Sequence, residues 1–194
     1  RDRIRIYLDR SGPERLDDLD EWRRLAAAAR DAGFTHMKFD IDYTAPDLTP
    51  DIWNRHISRP QMNRIVERLA AAREGAGPDV DIAVDGHRQY DTTSAIVLAG
   101  ELAPLHLAWF EDPTPLVSAE SCAEVRAKSP IPICVGEDFI AEQFRQFIDA
   151  GACDIIHPDM LFAGGPYEGR KIADYADLHY IPMAMHNNGG ALNT

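Results

Sequence analysis

The chain has 194 residues, 45% of them hydrophobic and 27% charged, enough to bury one core but short for two domains. Twenty basic residues against 32 acidic ones leave a net charge of −12, which repels a nucleic-acid backbone or an anionic membrane surface. No apolar run reaches 18 residues, and the amino end, RDRIRIYLDR, lacks the apolar stretch of a signal peptide, so a cytoplasmic location is expected.

Short β-rich runs alternate with longer helical patterns along the chain. The first strand is predicted at Arg3–Leu8, followed by a helix over Leu16–Ala32 that stops at Gly33. A second strand at Thr35–Asp40 leads into IDYTAPDLTPDIWNRHISRP, a stretch long enough to form a functional lid, before a helix at Arg59–Glu74. Strands at Asp81–Asp85, Leu107–Glu111, Ile133–Glu137, Asp154–Pro158 and Ile181–Met185 then alternate with helices at Tyr90–Leu102, Ser118–Lys128, Ala141–Ala150 and Gly169–Leu178. Ser118 serves as an N-cap, Gly151 as a helix stop, and Pro130 follows a last turn. Cys122, Cys134 and Cys153 form no CxxC pair and are read as reduced thiols.

Seven strands joined by helices imply a parallel sheet. A doubly wound sheet usually carries a glycine-rich phosphate turn after its first strand, and DRSGPERLDD is not one. Polar residues instead stand at the carboxyl ends of successive strands: Lys38, Asp40, Asp85, Glu111, Glu137, Asp159 and His186. In a closed barrel those ends converge on one mouth. The expected fold is therefore α/β, a (β/α)8 TIM-type barrel, with residues 1–194 forming one barrel domain. The chain lacks an initiating Met and stops after HNNGGALNT, so both ends are expected to be incomplete, with a last strand and helix following Thr194.

Asp85, Glu111 and Glu137 each end a strand, and 26 residues separate each from the next. One acid at a strand end is ordinarily a helix cap or a solvated loop charge. Three at one βα-unit spacing, each closing an apolar run (IAVD, LAWFE, PICVGE), need a buried partner. A hard divalent cation with oxygen ligands meets that need, Mg2+ better than zinc, leaving positions for water and a substrate carboxylate. Asp112 and Asp138 point the other way along the pleat and are read as loop caps or supports of the ligands.

A metal-held carboxylate substrate becomes acidic at its α-carbon, so a base near neutral pKa is required. Lys38 is one candidate, with Asp40 as its obvious salt-bridge partner if it is only structural. His186 is the other, with Asp159 placed to fix its tautomer, or else it is a loop histidine capped by Asn187 and Asn188. His87, two residues past Asp85, would lean into the mouth, where it could donate a proton to a leaving hydroxyl or bind the metal directly. His36, His106 and His179 face the far end; His157 could belong to core or mouth; His56 lies in the long loop.

The motifs MKFD, VDGH, WFEDP, GED, HPDMLFAGG and MAMHNNGG, in this order, resemble the enolase superfamily, specifically its mandelate racemase-like branch with the acid-sugar dehydratases, over about Arg3 to Thr194. The resemblance implies metal ligands Asp85, Glu111 and Glu137, an Asp159–His186 dyad, and His87 as the general acid of a dehydratase. The branch commonly carries Lys-x-Lys on its second strand, and here Asp40 replaces the lysine taken as base. That departure lowers the racemase reading, which needs proton-transfer groups on both faces of the α-carbon. Lys38 would then hold a substrate oxygen or tune the site, with Asp40 and Asn187 as substrate contacts. The branch's amino-terminal capping domain is expected to lie outside this chain. The implied function is a Mg2+-dependent dehydratase converting an aldonate or aldarate to a 2-keto-3-deoxy acid, in a homo-oligomer. A racemase, epimerase or cycloisomerase, and a non-catalytic relative, are the alternatives.

Overall fold

A computed structural model of the chain describes residues 4–10, 12–42 and 53–187. Six parallel strands, β1 (Leu8–Arg10), β2 (His36–Asp40), β3 (Asp81–Asp85), β4 (Phe110–Glu111), β5 (Ile133–Val135) and β6 (Ile155–Ile156), lie side by side in chain order. A seventh segment joins β6 through parallel bridges Ile156↔Met183 and Asp159↔His186. Strand order that never reverses is the arrangement of a barrel wall; a doubly wound sheet switches direction at its middle. The sheet curves far enough that Tyr7 Oη, just before β1, donates to Met185 O at 3.3 Å and lies 3.2 Å from His157 Nε2.

The helices α1 (Leu19–Asp31), α2 (Arg59–Ala76), α3 (Thr92–Leu102), α4 (Ala119–Lys128), α5 (Ala141–Asp149), α6 (Met160–Ala163) and α7 (Pro166–Leu178) make the crossovers. Their starts follow the capping chemistry of the sequence. Asp18, Asp91 and Ser118 accept backbone N–H bonds at the starts of α1, α3 and α4, and Ser58 with Gln61 closes a capping box on α2. Two elements depart from expectation at α6 and α7. A short helix follows Asp159, and α7 starts three residues earlier than Gly169 because Pro166 suits a first helical position that needs no N–H donor.

The first strand forms at Leu8–Arg10 instead of Arg3–Leu8. Pairing opposite β2 is limited to Leu8↔Met37 through Arg10↔Phe39, while Ile4 and Ile6 stay exposed and Arg5 reaches Thr35 O through its guanidinium at 2.6 Å. Positions 43–52 of the long loop, where a lid was expected, lie outside the described residues, as do 188–194 with Asn188.

Alternation along the strands divides the molecule into two interiors. Met37, Phe39, Ile82, Val84, Phe110, Ile133 and Val135 face outward into the main core under the helices, with Trp22, Leu69, Leu98 and Phe144. The other parity lines the barrel, where Ala83, Trp109 and Cys134 form a small apolar floor flanked by Tyr7 and Ala184. All three cysteines are free and buried.

His36 opens β2 at the far end of the barrel, its ring 4.5 Å from that of Trp109. Burial, with help from the nearby Arg5 charge, pushes its pKa down to about 4. An unfolded chain takes up that proton near pH 6.5. The folded state therefore keeps its full stability above about pH 6.5 and loses this contribution as pH falls from there towards about 4. Urea unfolding of the intact protein at pH 7.5 and 5.0 should show His36→Phe losing about 2 kcal/mol less than wild type on acidification. Equal losses would mean that the ring is not held neutral.

Candidate active site

Three successive strands deliver the three carboxylates. The register Asp40↔Asp85 and Asp85↔Glu111 sets the ends of β2, β3 and β4 level, and Glu137 follows β5 after a turn at Gly136. Asp85 and Glu111 are fully buried, and Glu137 is partly open to solvent at 23%.

Lys38 fills the space between the first two. Its Nζ donates to Asp85 Oδ2 at 2.9 Å and Glu111 Oε1 at 2.8 Å, with Asp9 at 3.6 Å. The expected Lys38–Asp40 pair therefore does not form, because Lys38 reaches up the barrel to the cluster of buried negative charge on the neighbouring strands. Burial alone would lower the Lys38 pKa, but Glu111 and Asp85 outweigh it and hold the ammonium charged, so Lys38 is a poor base here. Burial also opposes ionisation of both acids. Lys38 keeps Asp85 below the usual carboxylate range, whereas Glu111, facing the Asp85 charge, is pushed well above it. Asp40 is raised to about 6 by burial and by Asp9.

Among the described residues, donor atoms within 4.8 Å of one another, close enough to share one ion, come from Asp85, His87 and Glu137, from Asp40, Asp42 and the same His87, and deeper in the barrel from Glu111, Cys134 and His157. The triad thus lies in two halves, with Lys38 bonded to a carboxylate of each. Carboxylate oxygens are the donors that a hard divalent cation takes, and here two stand on strand ends and the third, Glu137, just past β5. The pairing of two buried acids with one ammonium shows the demand for positive charge at that point.

Glu111 is steadied from below by Trp109 Nε1, which donates to Oε2 at 3.0 Å. His157 belongs to the barrel interior. Its Nδ1 donates to Ala184 O at 2.8 Å, leaving Nε2 facing Tyr7 Oη and lying 3.2 Å from Glu111 Oε1. Burial and Lys38 push its pKa well down, in keeping with a neutral ring.

Two histidines flank the carboxylates on the open side. His186 Nδ1 lies 2.7 Å from Asp159 Oδ2, and its Nε2 lies 3.3 Å from Glu137 Oε2. With Nδ1–H donated to Asp159, the Nε2 lone pair faces the mouth. His87 is anchored by its backbone N–H on Asp85 Oδ1 at 2.9 Å; its Nε2 is 3.5 Å from Asp85 Oδ2, and its Nδ1 is 3.2 Å from Asp42 Oδ1, off the line of a hydrogen bond. Asp42, burial working against it, and then Asp85 set the His87 pKa, raised to about 9. Asn187 lies exposed beside His186, and His56 packs against Ser94 and Asp91 instead of entering the site.

The family pattern described as enolase C-terminal domain-like matches residues 21–194. The chain belongs to this family. Among curated relatives, the D-xylonate dehydratase of Haloferax volcanii is 36% identical over 202 residues, covering 100% of this chain and 47% of that protein. The D-galactarolactone cycloisomerase of Agrobacterium fabrum is 38% identical over 119 residues, covering 61% and 32%. A solved mandelate racemase/muconate lactonizing enzyme-like protein from Rubrobacter xylanophilus superposes with a TM-score of 0.92 at 35% identity, over 100% of this chain and 53% of that one. A provisionally named L-alanine-DL-glutamate epimerase from Burkholderia xenovorans, solved with magnesium and fumarate, superposes at 0.86 and 30% identity over 96% and 51%. The chain spans about half the length of the Haloferax relative.

In this member of the family, backbone strain collects just past the strand-end carboxylates. His87, Arg88 and Asp112 adopt φ of +42°, +64° and +38°, a region unfavourable to side chains with a Cβ. Gly136 combines φ +108° with Phe144 ring atoms only 2.5 Å from where a Cβ would stand. Gly136→Ala should lower the unfolding free energy by about 2–4 kcal/mol. Gly100→Ala, exposed on α3 with open space at its Cβ position, should be neutral or stabilise by up to about 1 kcal/mol. Urea unfolding of both variants compares them directly, and equal effects would contradict the tight turn.

Proposed function

We propose that the chain is the barrel part of a hydro-lyase that dehydrates a sugar acid, an aldonate or aldarate, to a 2-keto-3-deoxy acid. The observation that carries this reading is that two histidines of different setting flank the Asp85–Glu137 pair, His186 on Asp159 and 3.3 Å from Glu137, and His87 3.5 Å from Asp85. Dehydration needs one base and one acid. The dehydratase name of the Haloferax relative supports the same class.

A divalent cation, Mg2+ by donor chemistry and by the bound ion of the Burkholderia structure, would be held by Asp85, Glu111 and Glu137 and would draw charge from the substrate carboxylate, making the neighbouring C–H acidic. His186 then accepts the α-proton at Nε2 while Asp159 holds the resulting imidazolium. His87 gives a proton to the β-hydroxyl, which leaves as water. The enol product tautomerises to the keto acid. Lys38 balances the buried acids and holds a substrate oxygen, and Asp40 and Asn187 contact substrate hydroxyls.

Incubating the intact protein with aldonates and aldarates should yield 2-keto-3-deoxy acids by semicarbazide assay, and His186→Asn should lower kcat by about 10²–10⁴-fold. Full turnover in His186→Asn would remove its role as base. The cycloisomerase relative supports a second reading, an isomerase on the same site. Solvent deuterium entering both configurations of recovered substrate, without keto-acid formation, would establish that reading instead.

A further inference from the structure

We propose that Arg88 is a positioning residue that ties the loops behind the three acidic ligands into one unit and so sets the affinity for the divalent cation. The inference rests on the metal reading above and adds a residue that neither the spacing nor the acid–base argument singled out.

Each ligand has a neighbour in this tie. Arg88 stands three residues after Asp85, and Asp112 and Asp138 directly follow Glu111 and Glu137, so they repeat the ligands' 26-residue spacing. The guanidinium joins the three loops. Nε donates to Asp112 Oδ2 at 3.1 Å, Nη1 to Asp138 Oδ2 at 2.7 Å and Nη2 to Asp138 Oδ1 at 2.6 Å. The last two form a bidentate fork, the geometry a guanidinium offers and an ammonium does not. Main-chain bonds complete the tie: Arg88 N–H donates to Asp112 O at 2.7 Å, and Gly136 N–H to Asp112 Oδ1 at 3.2 Å. Arg55 Nη1 in turn donates to Arg88 O at 2.7 Å, and Arg88 holds φ +64° to make these contacts.

Charge and positioning predict opposite outcomes, which makes the idea testable. Arg88 Nη2 is 3.7 Å from Glu137 Oε1, so its charge repels a cation bound there. If electrostatics governed, deleting Arg88 would tighten metal binding. If Arg88 acts by holding Glu111 and Glu137 in place, deleting it weakens binding in spite of the removed repulsion. Supporting residues of this kind are typically worth about 10–100-fold in metal affinity.

The experiment titrates the intact, metal-stripped protein with Mn2+ in the absence of substrate, reading free Mn2+ by electron paramagnetic resonance, with the thermal midpoint of each metal-free variant measured alongside. Wild type should bind Mn2+, and Glu137→Gln should lose most of that binding. Arg88→Met should bind about 10–100-fold more weakly. Arg88→Lys, which keeps the charge but loses the fork, should fall several-fold with its metal-free thermal midpoint unchanged. Wild type that binds no Mn2+ overturns the metal reading and this inference with it. Wild type that binds, with Arg88→Met equal or tighter, overturns the inference alone. If Arg88→Met fails to fold, Arg88→Lys decides, and wild-type affinity in that variant overturns the proposal.

Discussion

Two carboxylates that are fully buried side by side cannot both stay ionised without positive charge between them, and Asp85 and Glu111 are held that way by the register of β3 and β4. The features of the barrel mouth answer to that constraint. Lys38 extends to them from β2, Trp109 donates to Glu111 from below, and each of the lysine's two carboxylate partners belongs to a different donor set. The cost of the cluster is paid by the surrounding fold, since removing one partner would leave a buried charge uncompensated.

The fold supplies the constraint through simple periodicity. Parallel strands in chain order turn every second side chain inward, and at the strand ends those side chains are acids and histidines. The apolar parity opposite them packs the helices against the wall. A rigid core under the sheet lets a few residues just past the strand ends carry unfavourable backbone angles, because packed strands fix both ends of each turn. The histidines and Glu137 at the mouth therefore sit on short segments anchored by buried strands, which holds them more closely than a long surface loop could.

The parts of the site that were legible in the sequence share one property. Asp85, Glu111, Asp159 and His186 close or follow short apolar runs, so the position of each is set by the strand that precedes it. Lys38 was legible as a site residue but its partner was not, because adjacency along one strand suggested Asp40 while cross-strand reach decided for Asp85 and Glu111. Asp42 and Arg88 were missed for a related reason. Their contacts come from loops after different strands meeting in space, and the only linear traces are the Asp40–Asp42 alternation and an arginine following VDGH. The sequence pattern puts the first strand too early because Ile4 and Ile6 alternate like core residues but remain exposed.

The equal spacing of the three acids has a consequence for how such a chain can diverge. Strand pairing sets the height of Asp85 and Glu111, Glu137 follows the paired β5 by one turn, and what separates the acids is a helix and two connections on the outside of the wall. Residues added or removed in the connection after α4, around Ser129 and Pro130, would change the count between Glu111 and Glu137 while the pairing Glu111↔Cys134 kept both in place. The 26-residue interval is thus a by-product of present helix lengths. A chain with quite different intervals could carry the same three acids at the same places on its strands, and comparison by strand order would align it where comparison by distance along the chain would not.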